Sequence, residues 1–151
     1  MPGYFSGKYY CTVDSKGRVM IPARFRAILQ NYYSEKLYIA NALFDKCLLL
    51  YPIEQWQRFA EKVKSLPQTK KSVRLLKRRV IASAQECELD RQGRLLIPSA
   101  LRADADINGE LVVVGQIEKM EIWNRKEWDA AVDISSIDRD AYEEELAELG
   151  L

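Results

Sequence analysis

The sequence predicts an α+β fold built from two copies of one small module. Three observations support this prediction: a thirteen-residue stretch recurs 76 positions further along, strand-like segments alternate apolar with charged residues, and helix-like segments place apolar residues three or four positions apart. The length of 151 residues fits one ordinary domain or two small ones. With 30% charged residues and no apolar run near the roughly 20 residues of a membrane helix, we expect a soluble chain and no membrane partner.

The recurring stretch spans residues 14–26 and returns at residues 90–102. Asp, Gly, Arg, Ile, Pro and the final Arg are identical in both copies, and three further positions exchange one apolar residue for another. Later matches follow in order, Leu37–Ala40 with Leu111–Val114 and Leu49–Tyr51 with Glu121–Trp123. Such an ordered series is typical of a duplicated unit. We therefore divide the chain into a first module (5–64), a basic helical connector (65–80), a second module (81–132) and an acidic C-terminal helix (133–151).

Each module is predicted to run strand, turn, strand, helix, strand, strand, helix. Its first strand shows the period-2 alternation of a half-buried strand, since Cys87 and Leu89 alternate with acidic residues. Cys11 and Val13 occupy the matching positions of the first module. The two cysteines are therefore interpreted as small packed hydrophobic residues.

The turn after this strand has the pattern Asp-x-x-Gly-Arg in both modules. The carboxylates of Asp14 and Asp90 can accept hydrogen bonds from the backbone two residues ahead. Gly17 and Gly93 can adopt the left-handed conformation that closes a short hairpin. The proline that follows each second strand suits the first position of a helix, so a helix is predicted over about residues 22–30.

Three further helices are predicted from apolar stripes at helical spacing. The stripes are Trp56, Phe59, Ala60 and Val63 in the first, Val73, Leu76 and Val80 in the second, and Tyr142, Leu146 and Leu149 in the third. The last helix begins with acidic residues, which the helix dipole favours.

Charge is unevenly distributed, although the formal net charge is only +1. Residues 65–80 contain six basic residues and no acidic one, whereas residues 133–151 contain seven acidic residues and one basic residue. The tail therefore carries −6 and residues 1–132 carry +7. The basic run could steer nucleic acid, although such runs more often form a solvated helix face. The acidic tail either folds back on this basic face, in the same or a neighbouring subunit, or is a plain solvated helix.

The composition excludes much enzyme chemistry. The chain has no histidine, which removes the commonest general base, the usual catalytic triad and most zinc or iron sites. Its three cysteines form no Cys-x-x-Cys pair, so neither a disulfide framework nor a zinc site is indicated, and a reducing cytosol is expected. Residues 1–8 lack a signal-peptide layout. We expect no catalysis, metal, cofactor or small-molecule ligand.

The two Asp-x-x-Gly-Arg turns are the leading candidates for function. Each places an arginine, Arg18 or Arg94, directly after a tight turn that also contains Lys16 or Arg91. A guanidinium suits guanine edges and phosphates, and a protruding β-ribbon is narrow enough for the major groove of DNA. The alternative is that each arginine pairs with the aspartate of its own turn and only holds its shape. The two roles can coexist.

Other basic and aromatic residues are weaker candidates. Arg24, Arg26 and Arg102 lie in the helices after the turns and could contact phosphates, or they could be solvated helix positions. The tyrosines only loosely resemble a stacking surface for single strands and are better explained by packing. They are Tyr4, Tyr9, Tyr10, Tyr32 and Tyr33.

Several of these segments together resemble the MraZ family of bacterial transcriptional regulators of the division and cell-wall gene cluster. The duplicated Asp-x-x-x-Arg module followed by Ile-Pro carries the resemblance, which covers about residues 4–132. It also includes Leu48–Pro52, Glu86-Cys87, Gly93–Pro98 and Val114–Gln116. The resemblance implies two AbrB-like swapped-hairpin units that form, within one chain, the β-barrel that single-copy relatives make by dimerising. It further implies that Arg18 and Arg94 contact DNA, and that ring-shaped homo-oligomers bind tandem repeats in promoters.

On this basis we expect a sequence-specific DNA-binding regulator in the cytoplasm, associated with the nucleoid. One or two arginine turns neutralise few phosphates, but linked copies on repeated sites can gain about 10²–10⁴ in avidity. A second hypothesis is an oligomeric assembly module that binds nucleic acid only incidentally. A third, a small enzyme, would require a pocket with paired titrating groups.

Overall fold

The computed structural model describes residues 3–151, and within that range the order predicted for each module is confirmed. The first module contains β1 (Lys8–Thr12), β2 (Arg18–Met20), α1 (Ala23–Tyr32), β3 (Lys36–Asn41), β4 (Cys47–Pro52) and α2 (Ile53–Lys64). The connector forms α3 (Lys71–Leu76) and a π-helical turn (Lys77–Ile81). The second module contains β5 (Gln85–Glu88), β6 (Arg94–Leu96), α4 (Ser99–Asp104), β7 (Glu110–Gly115), β8 (Met120–Asn124) and α5 (Arg125–Ala131), and α6 (Arg139–Glu148) follows.

The strands of the two modules exchange partners. Six strands form one antiparallel sheet in the order β1-β7-β8-β4-β3-β5, and β2 and β6 form a separate antiparallel pair. Thus β1 pairs with β7 of the second module, and β5 pairs with β3 of the first. The hairpin predicted within each module is present at its turn, where the Asp14 N–H donates to the Arg18 carbonyl and the Asp90 N–H to the Arg94 carbonyl, but it does not extend along the strands. In the first module β1 and β2 meet only at the bridge between Val13 and Val19, because their other backbone groups pair with strands of the other half.

No closed barrel is formed within residues 3–151, because β1 and β5 are the two edges of the larger sheet. The β2–β6 pair instead lies over one face of that sheet, where Val19 and Leu95 join the same apolar cluster as Leu50 and Ile122. The architecture is α+β, as the sequence predicts, and its strand pairings are antiparallel.

A pseudo-two-fold axis relates the halves. Val19 and Leu95, equivalent in the repeat, are directly opposite each other in the β2–β6 ladder. Leu49 and Glu121, also equivalent, are directly opposite each other in the β4–β8 ladder. Both ladders are therefore centred on the same axis, and the strands and turns of the first half have counterparts in the second.

The central strands of the large sheet are buried on both faces. One face packs against β2, β6 and the helices α1 and α4 through residues that include Phe25 and Leu101. The other face packs against α2 and the π-helical turn through Trp56 and Val80. Burial on both faces explains why β4 is an uninterrupted apolar run with no alternation, since every one of its residues is buried.

The helices agree with the predicted stripes, with one change of type. The helix predicted over residues 22–30 runs from Ala23 to Tyr32, and the stretch with the Val73, Leu76 and Val80 stripe is α-helical only to Leu76 before it widens into the π-helical turn. Helix α6 contains no buried residue. Its one ion pair, Arg139 with Glu143, is internal, so within residues 3–151 the tail makes no ion pair with the basic connector. No helix in the described part of the chain is long and apolar enough to cross a membrane.

Candidate functional site

The two Asp-x-x-Gly-Arg turns have the same closed geometry. The Oδ1 atom of Asp14 accepts hydrogen bonds from the backbone N–H groups of Lys16 and Arg18, each at 2.9 Å. In the second turn Asp90 accepts the equivalent pair of bonds, again at 2.9 Å. The turn glycines have φ values of +85° and +83°, in the left-handed region. The predicted side-chain-to-backbone turn is confirmed in both copies.

Each turn arginine also forms an ion pair with the aspartate of its own turn. The Nε atom of Arg18 donates to Oδ2 of Asp14 at 2.7 Å, and Nε of Arg94 donates to Oδ2 of Asp90 at 2.8 Å. The backbone N–H of Arg18 is the largest cause of a lowered pKa of Asp14, about 2, and the guanidinium adds to it. The pKa of Asp90 is lowered for the same reasons. The structural pairing considered in the sequence analysis is therefore present.

This pairing leaves the terminal nitrogens of both arginines available. Among the side-chain nitrogens of Arg18 and Arg94, only Nε makes a hydrogen bond within residues 3–151, so the Nη1 and Nη2 groups have no partner in that range. Each side chain is 28% exposed. A guanidinium held at Nε points its remaining N–H donors in a fixed direction, which is the arrangement required for bidentate recognition of a base edge or a phosphate.

Both arginines lie on one exposed face of the β2–β6 pair. Arg18 is opposite Leu96 and Arg94 is opposite Met20, whereas the intervening Val19–Leu95 pair points into the core. Side chains alternate along a strand, so Arg18, Met20, Arg94 and Leu96 share the outer face, which we call the arginine face. Met20 and Leu96 are 44% and 58% exposed.

The remaining candidates surround this face to different degrees. Lys16 and Arg91 are exposed within the two turns, and Arg24 is exposed on α1. Arg26 and Arg102 are half-buried, so the interpretation of these two as solvated helix positions is wrong. Each lies against the turn glycine of the opposite module: a Cβ on Gly17 would come within 2.5 Å of Arg102 Cζ, and one on Gly93 within 2.5 Å of Arg26 Cδ.

The aromatic and cysteine side chains are mainly packing residues. Tyr9 and Tyr33 pack against the main core, and so do Cys11 and Cys87. Burial raises the pKa of the Cys87 thiol to about 12 and also raises the pKa of Cys11. Tyr4, Tyr10 and Tyr32 are about half exposed, at 48%, 50% and 54%, and are not core residues.

One small pocket borders the second turn. A pocket of about 120 Å³ next to Gly93 is lined by Arg26, Glu35, Glu88 and Asp90 among others. That volume is below the roughly 300–1,000 Å³ of typical small-molecule sites. Within residues 3–151 no group of three or more potential ligands could hold a metal ion.

Met20 and Leu96 were not identified as site residues from the sequence. Both appeared only as conservative apolar exchanges between the repeats. The period of two would have placed them on the same face as the arginines, but the sequence did not show which face of the β2–β6 pair is buried.

Fold and site together define a duplicated, antiparallel α+β protein that presents two symmetry-related arginines on one surface. A family model described as "MraZ protein, putative antitoxin-like" matches residues 4–79 and again 80–149. The chain belongs to the MraZ family.

Relatives support the assignment over most of the chain. Proteins named "Transcriptional regulator MraZ" from Syntrophobacter fumaroxidans and Moorella thermoacetica are 39% and 40% identical, and cover 93% and 97% of this chain and 90% and 99% of their own lengths. The one from Caldanaerobacter subterraneus subsp. tengcongensis is 45% identical over 82% of each chain.

Proposed function

We propose that this chain is a sequence-specific DNA-binding transcriptional regulator that reads DNA with Arg18 and Arg94. One observation carries the proposal: the two arginines lie on the same exposed face of the β2–β6 pair, each held at Nε by an aspartate with its terminal N–H donors free. Two such donors on one surface can meet one duplex.

The spacing of the arginines suits neighbouring bases. Arg18 and Arg94 are diagonal neighbours in the ladder, and such neighbours are roughly 7–8 Å apart. This corresponds to about two base-pair steps of roughly 3.4 Å. Each guanidinium would donate its terminal N–H groups to O6 and N7 of a guanine in the major groove. The aspartates keep the guanidinium groups oriented, so less side-chain entropy is lost on binding.

The surrounding residues supply the other contacts that a DNA interface needs. Lys16 and Arg91 flank the two arginines, and Arg24 is exposed on the adjoining helix. We assign these three to phosphate contacts, with Arg26 and Arg102 as further candidates. Met20 and Leu96 would contact thymine methyl groups, the apolar feature of the major groove.

We further propose that the two halves are AbrB-like swapped-hairpin modules with the boundaries predicted from the sequence, and that copies of the chain assemble into a ring on tandem repeats of a division and cell-wall promoter at the nucleoid. The exchange of β1 and β5 between modules supports the first part. The exposed apolar side chains of α6, Tyr142 and Leu146, support self-association. Repeated sites would raise the affinity by avidity.

The test measures DNA binding by purified Arg18→Ala and Arg94→Ala variants. Fragments are first selected from random DNA with the wild-type protein, and affinities are then measured by fluorescence anisotropy. We expect each variant to weaken binding at least tenfold, with a larger loss for the double variant. Arg139→Ala, which removes an equal charge from the exposed helix α6, should bind as the wild type does. Unchanged affinity in a folded double variant would refute the proposal.

The exposed stripe of α6 also favours a second candidate function, an oligomeric assembly module. A salt titration separates the two, because the logarithm of a DNA affinity that rests on phosphate contacts falls linearly with the logarithm of salt concentration, by about 0.9 per contact. An assembly module would show no sequence preference and little DNA affinity at any salt concentration.

A further inference from the structure

Each Asp-x-x-Gly-Arg turn is covered by an arginine from the opposite half of the molecule. We call these two turns the reading turns, because Arg18 and Arg94 are proposed to read DNA. The guanidinium of Arg102, on α4, lies against Gly17, where a Cβ would come within 2.5 Å of Cζ and 2.7 Å of Nε. Arg26, on α1, lies against Gly93 in the same way, where a Cβ would come within 2.5 Å of Cδ and 2.9 Å of Cζ. The positive φ favours glycine at both positions, and a Cβ there would also displace the end of the arginine side chain above it.

A backbone hydrogen bond accompanies each of these contacts. The carbonyl of Gly17 accepts from the backbone N–H of Ile97, and the carbonyl of Gly93 accepts from Ile21, each at 3.0 Å. Five residues after each isoleucine, in the first turn of the following helix, the chain brings Arg102 or Arg26 over the glycine. Each turn glycine is thus held from the other half through both its carbonyl and its Cα.

Packing, not ion pairing, holds the two helix arginines. The Nε atoms of Arg26 and Arg102 are buried and have no hydrogen-bond partner within residues 3–151. A buried N–H without a partner is costly, so the packing of each arginine must offset that cost. Each arginine covers the glycine directly before Arg18 or Arg94.

We propose that Arg26 and Arg102 are positioning residues that fix the reading turn of the opposite half, Arg102 acting on Arg18 and Arg26 acting on Arg94. This inference rests on the proposed DNA-binding function. On this proposal, the position of Arg18 or Arg94 is set both by the turn of its own half and by a helix of the other half. The competing role is a direct phosphate contact.

A double-mutant cycle in DNA affinity distinguishes the two roles. If Arg102 acts through Arg18, the Arg102→Ala change should weaken binding at least fivefold alone but less than twofold in an Arg18→Ala background. Arg26→Ala is the matched control, and it should retain its full effect in that same background because it acts on Arg94. Independent effects of Arg102→Ala and Arg18→Ala would overturn the proposal and favour a phosphate contact.

A conservative variant provides a second readout on the same fragments. Arg102→Met keeps an unbranched side chain over Gly17 but has no N–H group to offer a phosphate. Positioning by packing predicts that this variant retains affinity within about threefold of the wild type. A loss as large as that of Arg102→Ala would contradict the proposal.

A third measurement needs no DNA, so it separates failure of this inference from failure of the proposed function. Gly17→Ala should lower the thermal unfolding midpoint, and an Arg102→Ala background should make that shift measurably smaller, because the displaced guanidinium is then absent and only the backbone strain at positive φ remains. An Arg26→Ala background should leave the shift unchanged. Equal shifts in all three backgrounds would rule out the proposed contact, whatever Arg18→Ala does to DNA binding.

Discussion

Val19 and Leu95 occupy equivalent positions in the two repeats and face each other across the β2–β6 ladder, both fully buried. A residue that pairs with its own counterpart marks the pseudo-two-fold axis. Because each turn ends at the arginine directly before Val19 or Leu95, the two Asp-x-x-Gly-Arg turns lie at opposite ends of the β2–β6 pair, and their arginines lie on either side of the axis. The duplication therefore produces a single surface with two arginines, although 76 positions separate them in the sequence.

Truncating a side chain on the buried face of β6 should lower the free energy of unfolding much more than truncating one on its exposed face. Leu95→Ala removes a fully buried side chain and leaves a cavity, so the free energy of unfolding should fall by about 2–5 kcal/mol. Leu96→Ala, on the arginine face, should change it by no more than about 0.5 kcal/mol. Chemical denaturation of both variants checks this. Equal losses would mean that the β2–β6 pair has the wrong face toward the core.

Asp14 should make stability depend on pH in the acid range. Its pKa is about 2 in the folded protein, below the ordinary value of 3.8, so its contribution to stability is present above about pH 4 and is lost as the pH falls through 2. Asp14→Asn should therefore lose less thermal stability than the wild type between pH 4 and pH 2. The thermal unfolding midpoint of both proteins is measured at several pH values between 4 and 2. An equal fall in the two midpoints would argue against the turn geometry.

Replacing Arg18 by lysine tests whether DNA recognition needs the planar guanidinium with its parallel N–H donors or only a positive charge. One ammonium cannot pair with Asp14 and also donate two parallel bonds to a guanine. We expect Arg18→Lys to lose about 1–3 kcal/mol of discrimination between the selected sequence and a scrambled one. Its affinity for the scrambled DNA should stay close to that of the wild type. Full retention of discrimination would assign Arg18 to the phosphate backbone.

The apolar side chains of α6 should matter for assembly and not for the fold of the rest. No residue of α6 is buried, so a Tyr142→Ser, Leu146→Ser double variant should keep the circular dichroism spectrum of the wild type. Light scattering should show a smaller particle. The control is Glu144→Gln with Glu148→Gln on the same helix, which should leave the particle mass unchanged. A wild-type mass for the serine variant would remove α6 from the assembly surface.

Much of the local structure could be predicted from the sequence. The repeat indicated the duplicated order of elements, and the Asp-x-x-Gly-Arg pattern indicated a turn whose carboxylate accepts from the backbone. Both follow from interactions between residues close in sequence. The change to a π-helical turn at Lys77 was not predicted, because the stripe of Val73, Leu76 and Val80 fits either helix type closely.

Pairing partners could not be predicted in the same way. The alternation at Cys87 shows that one side of β5 is buried, but many strands could supply the neighbour, and the one used is β3 of the other half. Likewise, the sequence left Arg26 and Arg102 as either phosphate contacts or solvated helix positions, since nothing in their local sequence indicates that each packs on a glycine of a distant turn.

By itself, then, the amino-acid sequence determined that there are two equivalent modules, what each contains and which arginine follows each turn, because these depend on short-range hydrogen bonding and on periodicity. Tertiary structure alone decided that the modules exchange strands, that both arginines emerge on one face and that each turn is held from the other half. Those features depend on which apolar surfaces meet, and that is settled by packing between segments far apart in the chain.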